Sequence, residues 1–216
     1  MSSIKYLLVL KSLLLFSCAG NNIYSEFINN ISILISEPKD ISIEKVNSIP
    51  YDSIQVRLGR GQNTLLVLEE VQDDILKWTS SNFVKIYTKK GMIVKVSGLE
   101  NELKIKDIDK RHPVLTKNFP KKEVIDLINF YTFSNPDLYL LPVKTSFRFD
   151  KTEKIKILGE EVFTSVYLEE TKDNLISWTF INKYWVNLEG KIVRSEESFT
   201  PKNQSAYVLV TKKKKT

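Results

Sequence analysis

Leu66-Val67-Leu68-Glu69-Glu70 returns one hundred residues later as Val166-Tyr167-Leu168-Glu169-Glu170. The offset holds beyond these strings: Asp73 matches Asp173, Trp78 matches Trp178, Thr79 matches Thr179 and Asn82 matches Asn182. With one residue dropped, Gly91-Met92-Ile93-Val94-Lys95 matches Gly190-Lys191-Ile192-Val193-Arg194. Each copy reads as strand, Asp turn, Trp strand, strand, Gly turn, strand. Such a meander has one apolar face and needs a partner to cover it. The nearest partner is the other copy, so the pattern predicts one pseudo-symmetric β domain with repeats at about 53–100 and 147–200. Two separate small sandwiches are the alternative, but no Gly-, Pro- or Ser-rich linker divides the copies.

Working outward, Ile54, Val56 and Leu58 alternate with Gln55 and Arg57, a period of two that ends in the turn Gly59-Arg60-Gly61. Further strands are predicted at Thr64 to Leu68, Ile75 to Trp78, Phe83 to Tyr87 and Met92 to Val96. Asn101 to Phe119 reads as charged and irregular. Lys121 to Phe130 reads as a helix, with Val124, Ile125, Leu127, Ile128 and Tyr131 on one face and Pro120 suited to its first turn. Strands resume at Tyr139 to Arg148, Lys154 to Leu158, Val162 to Leu168, Leu175 to Thr179, Tyr184 to Leu188, Lys191 to Arg194 and Ala206 to Val210.

The N-terminus carries a different signal. Cys18, the one cysteine, follows Leu13-Leu14-Leu15-Phe16-Ser17, with Lys5 and Lys11 as a positive flank. A small residue before a thiol at the end of a short apolar run is where a bacterial lipoprotein is cut and acylated, so residues 1–17 read as a signal peptide and Cys18 as the lipidated residue. A spanning helix needs about 20 apolar residues, and Lys11 breaks this run. Acylation consumes the only thiol and leaves no intrachain disulfide. Tyr24, Phe27, Ile28, Ile31, Leu34 and Ile35 then form a helical stripe within Asn21 to Ser36, ended by Pro38. With no Lys or Arg on its polar face, this helix suits packing on the protein better than lying on a membrane.

Composition excludes several functions. The formal charge is +6, but setting aside Lys5, Lys11 and Lys212 to Lys215 leaves 26 basic residues against 26 acidic ones. A neutral body offers no broad nucleic-acid-binding face. The stretch 212–216 reads as a solvated basic tail after a single domain spanning 18–211. His112 is the single histidine, in a charged loop before Pro113, so neither a Cys/His zinc site nor a histidine-based triad is expected. No metal or cofactor is expected.

Three groups carry candidate chemistry. Neighbouring residues of a strand face opposite ways, so neither Glu69-Glu70 nor Glu169-Glu170 forms a carboxylate pair alone, and only a cross-repeat pair such as Glu70 with Glu170 suits glycoside chemistry. Trp78, Trp178, Tyr184 and Trp185 are candidates for stacking on sugar rings. The matched positions of Trp78 and Trp178 favour the core for those two, and one of Tyr184 and Trp185 faces out if their strand has a solvated side. Gly59-Arg60-Gly61 suits a hairpin turn, with Arg57 and Arg60 as candidates for contacting an acidic polymer.

These residues also resemble a known family. Leu58-Gly59-Arg60-Gly61, Leu65 to Leu68, Trp78, Gly91-Met92-Ile93-Val94 and Gly98-Leu99 are similar to the first half of the YjbF/GfcB lipoproteins of group 4 capsule and related exopolysaccharide clusters. Ile157-Leu158-Gly159, Val166 to Glu170, Trp178, Tyr184-Trp185-Val186 and Gly190 to Ser195 resemble the second half. The resemblance spans about Ser53 to Pro201 plus the lipidation cysteine. It implies a large antiparallel sheet curled toward a half-barrel, anchored by lipid to the outer membrane and facing the periplasm. It implies support of polysaccharide secretion or assembly, and the main reading is a non-enzymatic binding or scaffold protein whose partners are polysaccharide or export-machinery proteins. Two rivals stand beside this reading: a carrier enclosing an acyl chain or lipid-linked sugar, and a glycan hydrolase. A deep apolar cavity between helix and sheet favours the carrier, and a filled interior with exposed aromatics favours the binding protein.

Overall fold

The computed structural model describes residues 39–106, 124–173, 178–201 and 205–212. All of them belong to the second of two compact units, Lys39–Thr216. The first unit, Met1–Pro38, lies outside the described residues, and with it Cys18 and the helix expected at 21–36. His112 and Pro120 lie outside them as well.

A short helix, α1 (Ile43–Asn47), is capped by Ser42 and buries Val46. Twelve strands follow: β1 (Ser53–Leu58), β2 (Thr64–Gln72), β3 (Ile75–Thr79), β4 (Lys85–Lys89), β5 (Met92–Ser97), β6 (Leu103–Lys106), β7 (Ile125–Ser134), β8 (Asp137–Ile157), β9 (Glu160–Asp173), β10 (Trp178–Asn187), β11 (Ile192–Ser198) and β12 (Ser205–Lys212). Each pairs antiparallel with its neighbours in sequence, giving the mainly β, curled antiparallel sheet that the resemblance implied. The curl continues until β1 pairs with both β2 and β12, which closes the ring. Lys212, expected in the tail, instead ends β12 opposite Ser53.

Turn chemistry sets the pairing. Asp73 and Asp74 both have positive φ, as do Lys90-Gly91 and Leu158-Gly159. Two such residues in a row make the tight hairpin turn whose twist matches that of the flanking strands. Gly91 is further constrained, because a Cβ there would lie 2.7 Å from the Ile192 side chain.

Several expectations needed correction. Residues 125–130, expected as helix, begin β7. Ile125, Leu127, Asn129, Tyr131 and Phe133 alternate inward, while Ile128 and Phe130 stay exposed outside. Apolar residues on both faces imitate a helical stripe, and the buried Asn129 hides the period of two. Leu103–Lys106, in the stretch read as irregular, forms β6. The strands expected at Tyr139 to Arg148 and at Lys154 to Leu158 are one strand, β8, which carries a bulge between Phe149 and Lys151 in place of the expected break. The strands expected at Leu175 to Thr179 and Tyr184 to Leu188 are likewise one, β10, although 174–177 lie outside the described residues. Ser80-Ser81-Asn82 turns the chain, through Ser80 bonds to Asn82 and Val84, whereas Phe180-Ile181-Asn182 stays extended. The first copy therefore spans four strands (β2 to β5) and the second three (β9 to β11).

Candidate functional site

The lumen is built by alternation. The register sets Phe147 of β8 opposite Glu169 of β9, Glu169 opposite Asn182 of β10, and Asn182 in turn beside Glu197 of β11. This polar row meets two apolar clusters. One contains Trp78, Phe133, Trp178 and Phe199, and the other Met92, Phe147, Tyr167 and Tyr184. Glu169 is 2% exposed and Glu197 4%. The Tyr184 hydroxyl donates to Glu169 Oε2 at 2.7 Å, and Asn182 Nδ2 donates to the same oxygen at 2.8 Å. Glu197 Oε2 accepts from the Ile93 amide at 3.1 Å. Asn182 Oδ1 accepts from the Ser198 amide at 2.8 Å.

Burial pushes the Glu197 carboxyl up to about 8, with the Ser195 hydroxyl opposing it most, the nearby Glu169 adding to it, and the Ile93 and Tyr184 hydrogen bonds opposing it further. The phenols of Tyr131 and Tyr184 are held well above their ordinary value, by burial first and then by the same two carboxylates. The cavity among these groups has a volume of about 10 Å³, room for about one water. Among the described residues, the barrel is closely packed at this level. The polar layer is satisfied by its own side chains together with the Ile93 and Ser198 amides, and burial favours the protonated form of Glu197.

Besides a cavity of about 470 Å³ lined by Asp126 to Ile128 and Lys144 to Ser146, open space lies at the end of the barrel where β1, β3, β5 and β11 end. A cavity of about 430 Å³ is lined by Leu58, Arg60, Leu99, Glu100, Asn101 and Phe199. A second, of about 230 Å³, shares Leu58 and is lined by Gln62, Ser80 and Asn82 over Val56, Leu66 and Ile86. The loops around them are braced. The Gly61 amide donates to the Leu58 carbonyl at 2.9 Å, and Glu102 Oε1 accepts from the Gly98 amide at 3.0 Å. Glu100 Oε1 accepts from Asn135 Nδ2 at 3.2 Å. Gly98 has positive φ and packs on the next loop so closely that a Cβ would lie 2.6 Å from the Phe83 carbonyl oxygen.

The aromatic candidates are all inside packing, with exposures of 4% or less. Trp78 donates to Thr88 Oγ1 at 2.8 Å, and Trp178 packs against Tyr131, Phe133 and Phe180. Tyr184 faces the lumen. Trp185 faces the other way, yet Arg194 stacks on it at 4.1 Å, Glu153 accepts its indole hydrogen and Ile155 and Val166 flank it. No ring face of these four is open to a sugar, because each completes an apolar cluster or a covered patch. Of the arginines, Arg57 is half-buried on β1 opposite Tyr207, and Arg60 is exposed on the rim of the larger cavity. Glu70 and Glu170 lie outside the barrel, paired with Lys77 and Arg148. The carboxylates brought together are Glu169 and Glu197, and sequence reasoning missed Glu197 because Glu196-Glu197 looks like a solvated pair. The usable signal was alternation along β11, where Ser195, Glu197 and Phe199 share the buried phase.

The fold defines a class: a closed antiparallel barrel with a buried polar layer and a shaped opening. The chain belongs to the YjbF family, described as "Group 4 capsule polysaccharide lipoprotein gfcB, YjbF", whose profile matches residues 20–209. It is 22% identical over 201 residues to the uncharacterized lipoprotein YjbF of Escherichia coli K12, covering 88% of this chain and 89% of that protein. It is 21% identical over 183 residues to the uncharacterized lipoprotein GfcB of the same strain, covering 83% and 85%. The crystal structure of the hypothetical lipoprotein YmcC from Escherichia coli K12 matches with a TM-score of 0.68 at 18% identity, over 91% of this chain and 96% of that one, a likeness of fold.

Proposed function

We propose that this protein is a non-enzymatic binding or scaffold lipoprotein that assists secretion or assembly of capsule or exopolysaccharide, anchored through Cys18 to the periplasmic face of the outer membrane. Membership of a group 4 capsule lipoprotein family supports the polysaccharide connection. The observation that carries the choice among mechanisms is the packed polar layer inside the barrel. The space among Glu169, Asn182, Tyr184 and Glu197, about 10 Å³, has no room for an acyl chain at that level, which speaks against a carrier that threads its ligand through the barrel. The two carboxylates of this layer are 2% and 4% exposed, out of reach of a polymer, which speaks against hydrolysis there. Anchoring follows from acylation, since each buried CH₂ contributes about 0.8 kcal/mol and two chains hold stably.

The test is deletion of the gene with quantification of surface polysaccharide. Reduced polymer, restored by the wild-type gene, is the expected result, and unchanged polymer overturns the role. For the anchor, Cys18→Ser abolishes palmitate labelling and releases the protein from membranes. Retention in the outer-membrane fraction without label removes the anchoring claim.

A further inference from the structure

We propose that the open end of the barrel is a saccharide site, holding a short stretch of a glycan chain in two adjoining subsites on either side of Leu58. This rests on the polysaccharide reading above and names the surface that would make the contact. A sugar ring presents pairs of hydroxyls along its edges and C–H groups on its faces. Planar polar side chains match hydroxyl pairs, because guanidinium, carboxylate and carboxamide groups each place two hydrogen-bonding atoms in one plane. The larger cavity has one of each: Arg60, Glu100 and Asn101, above a floor of Leu58, Leu99 and Phe199. The smaller has two amides in Gln62 and Asn82, the latter held by Ser80, above Val56, Leu66 and Ile86.

The charge balance narrows the ligand. Arg60 and Glu100 line one cavity with opposite signs, and the neighbouring cavity has uncharged polar groups interrupting a mainly apolar wall. That suits a polyhydroxylated ligand better than a phosphate, which calls for converging cations, or a fatty acid, which calls for an unbroken apolar wall. The volume of about 430 Å³ falls in the usual range for small-ligand pockets of roughly 300–1,000 Å³, and Leu58 lines both spaces, which places them side by side. The floor is preformed. Leu66, Ile86 and Phe199 are buried members of the main apolar cluster, and the rim loops are tied by the Gly61–Leu58, Glu102–Gly98 and Glu100–Asn135 hydrogen bonds. Little ordering cost then remains for the ligand to meet.

The experiment titrates the full chain, in detergent, with short oligosaccharides made by partial hydrolysis of the producing strain's own surface polymer, read by calorimetry. Inorganic phosphate and a medium-chain fatty acid serve as competing chemistries. Arg60 and Gln62 are exposed, so their variants are expected to keep the fold, checked by thermal unfolding. The expected result is saccharide binding by the wild type, weakened by about tenfold or more in Arg60→Ala, on the scale of a lost charge-assisted contact. Gln62→Trp fills the smaller space, so binding of longer oligosaccharides falls toward that of the shortest. Saccharide binding that neither variant changes overturns the site, as does displacement of the sugar by phosphate or fatty acid. Absence of binding by the wild type also overturns it, and a polymer defect on gene deletion in that case leaves the broader role standing.

Discussion

Glu69 and Glu169 occupy matching places in two copies of one sequence, and they end up on opposite sides of the barrel wall. In the first copy Leu66 and Leu68 pack into the lumen, and Glu69 is the extra residue of a bulge, because the pairing steps from Leu68 opposite Trp78 to Glu70 opposite Lys77. Glu69 therefore meets Lys77 at 2.7 Å, with its side chain 40% exposed. In the second copy the lumen-facing residues are Tyr167 and Glu169. The bulge explains the inversion. The registers next to the two turns, Gln72 with Ile75 and Asp173 with Trp178, have the same phase, and without a bulge Glu69 would stand opposite Trp78. The extra residue moves the first copy by one, so Leu68 faces Trp78 and Glu69 turns out, whereas β9 and β10 pair without a shift. A repeated sequence therefore fixes strands and their order, while one inserted residue in a ladder decides which face is wet.

The comparison can be broken most severely where the copies agree. Trp78→Ala and Trp178→Ala should each lower stability by about 3–5 kcal/mol, since both empty a large space in the same apolar cluster. Denaturant unfolding checks this, and a small loss at either position means that ring is not core. Next, Glu169→Ala should destabilise by about 3 kcal/mol, because the Tyr184 hydroxyl and Asn182 amide lose their shared acceptor in a closed interior. A third test uses pH. The folded carboxyl of Glu197 lies at about 8, against 4.5 ordinarily, so the native state binds a proton that the unfolded chain releases. This contribution is complete below about pH 4.5 and is lost as pH rises through about 8. Chemical denaturation from pH 5 to 9 should show that decline in the wild type and a flatter profile in Glu197→Gln. The smallest effect is expected from Glu69→Ala, whose unfolding midpoint should match the wild type, because exposed ion pairs contribute little. A loss there comparable to that of Glu169→Ala would erase the inside–outside distinction.

Much of the fold was legible. The period-two runs of β1 to β5, the Asp73-Asp74 and Lys90-Gly91 turns and the β strand carrying Trp78 follow directly from residue pattern. What escaped depends on long-range partners. β7 is apolar on both faces, because Ile128 and Phe130 stand outside while Tyr131 and Phe133 stand inside. β8 runs through Asp150-Lys151-Thr152, a polar stretch that reads as a turn and survives as a strand because β9 pairs with it on both sides of the bulge. The site was less legible. Arg60 was identified from its glycine-flanked turn, but the groups that join it come from other loops: Asn101 after β5 and Phe199 after β11. No local pattern announces that three distant strand ends meet around one opening.

The seam between the first and last strands has a consequence for how the molecule comes into being. Ile54 to Leu58 find their second partner in Ala206 to Val210, more than a hundred and forty residues away in sequence. Until those final residues have been synthesised, two strands carry bare edges and the cylinder stays an open scroll, a form prone to pairing with strangers. A polypeptide cut short before Ser205 is thus left permanently ajar, and the last eight residues of β12 act as the latch that ends its vulnerable adolescence.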